Sequence, residues 1–204
     1  MKNRVIKIII ALIIFLAMLT IVLINPANPL DYAIRDFFYS IRIKPLNKIF
    51  TIYTNLCDAY VIIPLLIGLL LVFKKNLYRI IITCNIAFAF VLNNIIKLLV
   101  NRERPLVEMQ LVSESSSSFP SGHSMNGIAF YLMLFYIISL NVENEKTRKS
   151  LIFVGYFIGC FLVISRLYLG VHYFTDTIAG FSLGYAICNF MMIILDKYLA
   201  KDTK

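Results

Sequence analysis

PSGHSMNGIAFYLMLFYIISL, from Pro120 to Leu140, opens as a turn and continues as an apolar run about as long as a lipid bilayer is thick. At about 1.5 Å of rise per residue, roughly 20 apolar residues cross a hydrocarbon layer of about 30 Å. Comparable runs lie at Ile8 to Ile24, Ala59 to Phe73, Ile80 to Val100, Leu151 to Ile164 and Thr177 to Leu195, with Ser124 to Leu140 as the apolar part of the quoted stretch. The chain has 204 residues, is 60% hydrophobic and 15% charged, and has a mean hydropathy of +0.81. A soluble core of that size cannot hide so much apolar surface. The expected fold is therefore all-α: a bundle of six transmembrane helices forming a single membrane-embedded domain over residues 1–204.

Lys2, Arg4 and Lys7 precede the first run as the charged region of a signal peptide does. The run is longer than a signal core, however, and Asn25, Pro26, Ala27, Asn28 and Pro29 offer no small-x-small cleavage site. It is read as a span.

The net charge of +9 raises the possibility of a nucleic-acid partner, but the charges alternate by loop. Lys2, Arg4 and Lys7, then Lys74, Lys75 and Arg79, then Lys146, Arg148 and Lys149, then Lys197, Lys201 and Lys204 all fall on one side. By the positive-inside rule that side is the cytoplasm, which puts both termini there and removes the need for nucleic acid. Arg35, Arg42, Lys44, Lys48, Lys97, Arg102, Arg104 and Arg166 fall on the opposite side and call for another explanation. Cys57, Cys84, Cys160 and Cys188 lie in or beside apolar runs without CxxC spacing, and are read as packing residues.

Between the first two runs, Asp31 to Lys48 is too polar to cross. Ile34, Phe37, Phe38 and Ile41 recur at helical spacing, with Arg35, Ser40 and Arg42 off the stripe, which predicts one interfacial amphipathic helix. Ser115 to Ser118 reads as a flexible approach to the turn at Pro120.

Charged side chains at membrane depth are costly and mark function by default. Lys97 and Arg104 are seven positions apart, so a helix reaching that far presents them within about 20° of each other, with Pro105 as its stop. Arg166 closes the fifth run on the same side. Beside these cations, Pro120, Ser121, Gly122 and His123 lead into a helix whose N-terminal N–H groups and dipole favour an anion such as phosphate. Gly122 allows close backbone approach, and Ser121 either adds a hydrogen bond to the anion or caps the helix. The chain has only two histidines. His123 lies at this helix mouth, and His172 lies just before the last run. Asp176 follows four residues after His172, a spacing at which a carboxylate can hold one ring nitrogen protonated and leave the other free to attack. His123 is then available as general acid and base. Two histidines and an aspartate also suit a metal, but Lys97, Arg104 and Arg166 repel a divalent ion while matching a phosphoryl group. No metal and no cofactor are expected. A purely structural role for the histidines, as interhelical hydrogen-bonding groups, is the bland alternative.

Lys97 with Arg104-Pro105, then Pro120-Ser121-Gly122-His123, then Ser165-Arg166-x-x-x-Gly170-x-His172-x-x-x-Asp176 together form a pattern that resembles the type 2 phosphatidic acid phosphatase superfamily. The resemblance implies a phosphohistidine formed on His172, Asp176 as its orienting partner, and His123 serving the leaving group. It implies a phosphate cradle of Lys97, Arg104, Ser121, Gly122 and Arg166. It also implies metal-free hydrolysis of a lipid phosphate or diphosphate at the outer face of a plasma membrane. Undecaprenyl diphosphate, phosphatidylglycerophosphate and phosphatidic acid are the candidate substrates. Phosphoryl transfer to a second lipid stays open, as does a non-catalytic protein that binds or moves lipid phosphates. Soluble vanadate-dependent haloperoxidases share the pocket, but the predicted spans argue against that branch.

Overall fold

The computed structural model describes residues 2–202; Lys204, one of the charges assigned above to the cytoplasm, lies outside them. The described residues form α-helices and short 3-10 turns with no strand. The helices are α1 (Lys2–Ile24), α2 (Pro29–Ser40), α3 (Lys44–Thr54), α4 (Ala59–Val72), α5 (Asn76–Val100), α6 (Gly122–Ser139), α7 (Glu145–Tyr168) and α8 (Phe174–Asp202). By length and composition four of them, α1, α5, α7 and α8, can cross a membrane, and the pair α3–α4, bent by 47°, can supply a fifth span. The run expected at Ala59 to Phe73 yields a helix of only 14 residues.

The quoted stretch forms the centre. α6 is apolar on every side, and a helix of that kind is stable only when surrounded; Met125, Ile128, Ala129, Phe130, Met133 and Ile137 are all fully buried. α7 and α8 reach it through glycines. A methyl group added at Gly184 would sit 2.2 Å from the Met125 carbonyl oxygen, and one at Gly180 would sit 2.4 Å from the Ser121 carbonyl oxygen. Small residues at such crossings let the backbones touch, which is how helices gain contact without a hydrophobic driving force between them. α5 is tied to α6 by amides: Asn85 donates to the Ala129 carbonyl at 2.7 Å and Asn93 to that of Pro120 at 3.2 Å. α1 lies along α8, with Arg4 and Asp196 paired at 3.3 Å where the first helix starts and the last one ends. Its other face carries exposed Ile6, Ile9, Ile10, Ile13 and Leu16, an apolar surface suited to lipid rather than water.

The C-terminal ends of α5 and α7 and the N-terminal ends of α4, α6 and α8 gather at one end of the bundle, and α2 and α3 lie against it. The segment Asp31 to Lys48 is therefore two helices instead of the single one expected. Pro45, in the first turn of α3, has no N–H to continue a helix from α2, and Ile43, which caps α3, takes extended backbone (φ −137°, ψ 149°). Arg42 occupies the break, donating through Nε and Nη2 to the Tyr168 carbonyl at 3.0 and 2.8 Å and through Nη1 to that of Met109 at 2.7 Å. The predicted stripe faces outward in part, with Phe37 58% and Ile41 40% exposed, while Asp31 points inward.

Among the cysteines, Cys188 is a core residue, Cys57 is half-buried near the gathered helix ends, and Cys84 and Cys160 face outward; none is paired.

Candidate active site

α7 stops at Tyr168, and the chain turns through Gly170, whose φ of +75° is strained for any residue with a Cβ. That turn delivers His172 to the floor of the gathered helix ends, where it is 3% exposed. Arg104 Nη1 lies 3.2 Å from its Nε2, and since a guanidinium only donates, Nε2 accepts and carries no proton. Nδ1 then holds the proton and points at Ser118 Oγ (3.3 Å) and Asp176 Oδ2 (3.7 Å). Burial, followed by the positive charge of Arg104, Arg166 and Lys97, pushes the His172 imidazole well below its ordinary range. It is neutral, with a bare nitrogen, the state in which an imidazole attacks.

Asp176, in the first turn of α8, is completely buried and fully engaged. It accepts from Ser118 Oγ at 2.5 Å, from the Tyr173 N–H at 2.9 Å and from Arg102 Nη1 at 2.5 Å. Arg102 is the residue whose importance the spacing did not reveal. Its Nη2 donates to Asp31 Oδ2 at 2.7 Å, and Asp31 also accepts from the Thr175 N–H at 2.9 Å and from Asn28 Nδ2 at 2.6 Å. A buried chain of charge thus runs from α2 through Arg102 and Asp176 to His172.

Lys97 and Arg104 do meet, but not on one helix. α5 ends at Val100 because Asn101 takes the left-handed conformation (φ 43°, ψ 45°), so Pro105 stops nothing. Arg104 instead returns through the loop. Its Nε donates to the Ser116 carbonyl at 2.6 Å and its Nη1 to that of Val171 at 2.7 Å, while Lys97 Nζ donates to the Ser117 carbonyl. The serines read as a flexible approach are thus held by their own carbonyls. Arg166, from the last turn of α7, donates to Thr54 Oγ1 at 2.7 Å and to the Glu114 carboxylate. Burial alone raises the Glu114 carboxyl, but Arg166 and Arg104 outweigh it and hold it below the usual carboxylate range.

Ser121 is fully buried and caps α6, its hydroxyl accepting from the Ser124 N–H at 3.4 Å and from Ser124 Oγ at 3.0 Å. Of the two roles open for Ser121 in the sequence, the cap is the one its geometry fits. A Cβ at Gly122 would lie 3.2 Å from Asn93 Oδ1, so this corner is closely fitted. One turn of backbone then sets His123, whose Nε2 lies 2.9 Å from Asp58 Oδ1, an acid contributed from the start of α4.

Both imidazoles open on the same cavity of about 210 Å³, lined also by Lys97, Arg104, Glu114 and Gly122. Ser121, Arg166 and Asp176 stand behind this lining. Among the described residues no group of three or more His, Cys, Asp or Glu side chains is disposed to hold a metal ion. The cavity adjoins an apolar cleft of about 330 Å³ between α4 and α5, the two sharing Cys57, Ala59, Phe90 and Asn126.

Residues 78–199, well over half of the chain, match the PAP2 superfamily. The chain belongs to that superfamily. Phosphatidylglycerophosphatase B of Bacillus subtilis (strain 168) is 32% identical over 174 residues, 83% of this chain and 85% of its own length. The crystal structure of the transmembrane PAP2-type phosphatidylglycerolphosphate phosphatase from Bacillus subtilis superposes with a TM-score of 0.86 at 30% identity, covering 94% of this chain and 96% of that one. Aquifex aeolicus LpxE superposes at 0.64 with 26% identity, covering 84% of this chain and 98% of that one. Lipid phosphate phosphatase delta of Arabidopsis thaliana is 27% identical over 130 residues, 56% of this chain but only 30% of the plant protein. As a PAP2 phosphatase with several apolar spanning helices, this protein is an enzyme of the membrane.

Proposed function

We propose that this PAP2 phosphatase hydrolyses a lipid phosphate through a phosphohistidine on His172. The observation that carries the reading is the bare Nε2 of a neutral His172 opening on the same cavity as His123, with cations around both. Nε2 attacks phosphorus as the P–O bond to the lipid alcohol breaks, and His123 gives that oxygen a proton. Water then attacks the phosphohistidine as His123 takes a proton back; the N–P bond breaks and inorganic phosphate leaves. Arg104 leaves its contact with Nε2 to follow the phosphoryl oxygens. Lys97 and the N–H groups of α6 at Gly122 share those oxygens, with Arg166 adding charge from behind and Ser121 holding the helix end in shape. No step requires a metal.

The bundle is read as six spans, with α4 and α6 completing the four long helices. Its termini and basic loops are cytoplasmic and its active site faces the outside of a plasma membrane, which the loop asymmetry of Lys and Arg supports. Phosphatidylglycerophosphate is the favoured substrate among the three candidates, because relatives covering most of this chain are named for it. The cleft between α4 and α5 offers its chains an apolar path to the cavity.

The test is phosphate release from phosphatidylglycerophosphate, phosphatidic acid and undecaprenyl diphosphate in detergent with EDTA. Wild-type protein turns over at least one of them, vanadate inhibits, and His172→Gln is inactive. Turnover by His172→Gln, or activity abolished by EDTA and restored by a divalent ion, refutes the mechanism.

A further inference from the structure

We propose that Asp58 is a positioning residue for the reaction, holding His123 so that Nδ1 meets the leaving oxygen and supplying the negative charge that keeps a proton on the ring. This rests on the reading of His123 as acid and base.

Asp58 occupies the N-cap position of α4, where an aspartate ordinarily accepts from the backbone N–H groups of the first turn and stabilises the helix. Here the side chain makes no such bond, although the Asp58 carbonyl does accept from the Val61 and Ile62 N–H groups. The carboxylate instead spans to another helix and meets His123 Nε2 at 2.9 Å. A capping side chain that forgoes its cap has been recruited elsewhere, and the geometry shows to what.

The electrostatics explain the need. The charged and titratable groups facing His123 are Arg166 from α7, Glu114 from the loop before α6, Asp58 from α4, Lys97, Arg104 and His172 across the shared cavity, and Cys57, whose thiol donates to the His123 carbonyl at 3.5 Å. Arg166 opposes an imidazolium, and Glu114 is already committed to Arg166. Asp58 is the remaining carboxylate, and its contact with His123 is what chiefly holds its own carboxyl below the usual range. An Asp–His contact at Nε2 fixes Nε2–H toward Asp58. The atom left for the substrate is Nδ1: protonated to assist departure of the lipid alcohol, then bare to take a proton from water. Outer partners that orient a histidine in this way are worth about 10- to 100-fold in metal sites, and the same scale is expected here.

Asp58→Asn and Asp58→Glu are assayed on phosphatidylglycerophosphate in detergent micelles across pH, beside His123→Gln and the double variant Asp58→Asn/His123→Gln. Asp58→Asn is expected to lower kcat about 10- to 100-fold with little change in KM. The alkaline limb of its kcat profile shifts to lower pH, because the ring then gives up its proton more readily. Asp58→Glu restores part of kcat, and Asp58→Asn adds nothing once His123 is gone. Wild-type kcat and profile in Asp58→Asn, a loss confined to KM, or a collapse of the unfolding midpoint in that variant each overturns the proposal, the last by making the role structural. If His123→Gln is inactive while Asp58→Asn behaves as wild type, only Asp58 is misassigned. Turnover by His123→Gln removes the acid–base reading itself and this proposal with it.

Discussion

Replacing Arg102 with methionine tests the buried charge chain behind the nucleophile. The Arg102 side chain is 3% exposed and pairs with two carboxylates that are themselves buried, Asp176 at 2.5 Å and Asp31 at 2.7 Å. Removing one partner from a buried ion pair costs about 3–5 kcal/mol, because the remaining charge is left uncompensated. Two carboxylates are orphaned together here, so the cost of Arg102→Met lies at the upper end of that range, about 5 kcal/mol, without simply doubling. At about 2–4 °C per kcal/mol for a chain of this size, the unfolding midpoint in detergent falls by at least roughly 10 °C. Turnover falls too, since Asp176 no longer keeps the position from which it faces His172 Nδ1. Asp31→Asn in the same chain removes one of the two orphaned charges and recovers part of the midpoint, a coupling of about 1–3 kcal/mol in the double-mutant cycle. An unchanged midpoint for Arg102→Met, or strictly additive effects of the two substitutions, refutes the chain as drawn.

Three further outcomes follow from the same geometry. With only two histidines in the chain, 15N-imidazole NMR can follow each: His172 stays neutral, protonated on Nδ1, as pH falls through about 6.5, where an ordinary imidazole is half charged. The unfolded chain takes up that proton first, so stability declines as pH drops below about 6.5, and titration of His172 at or above that value contradicts the assignment. Gly180→Ala drives a methyl to 2.4 Å from the Ser121 carbonyl oxygen, which destabilises the fold by about 1–3 kcal/mol and lowers turnover by displacing the start of α6; calorimetry and turnover at one temperature separate the two effects. Glu114→Gln takes a negative charge away from Arg166 and Arg104, so vanadate and inorganic phosphate inhibit at several-fold lower concentration, and weaker inhibition disproves that competition.

The apolar runs and the two histidines of the cavity were legible because both signals are local: helical hydrophobicity repeats within a turn or two, and the His172/Asp176 spacing is about one turn. Where the reading failed, one residue of unusual backbone had intervened. Asn101 in the left-handed region ends α5 before Arg104, so the two cations meet through the serine carbonyls and not along a helix face. Pro45 carried a readable signal against a single helix from Asp31 to Lys48, and the regularity of the apolar stripe masked it. Asp31, Asp58 and Glu114 were missed for a different reason. Each meets its partner across at least 50 residues of chain, and no spacing encodes that. Asp58 did leave one trace, as a lone acid at the edge of an apolar run, where a charge asks for an explanation.

The glycine crossings that bring α7 and α8 onto α6 also divide the molecule mechanically. Backbones already in contact at Gly180 and Gly184 of α8, and at Gly155 of α7, where a Cβ would lie 3.0 Å from the Tyr131 carbonyl oxygen, cannot slide or tilt without collision, so α6, α7 and α8 behave as a stiff wall. α4, with Ile62 as its one buried residue and Ile63, Ile67, Leu71 and Val72 turned outward, has no comparable anchorage. Compliance in the bilayer is thus concentrated on a single flank. Thickness or lateral pressure in the surrounding lipid would therefore reach the site through Asp58 at the start of α4, while His123 on α6 and His172 before α8 are held by the rigid half.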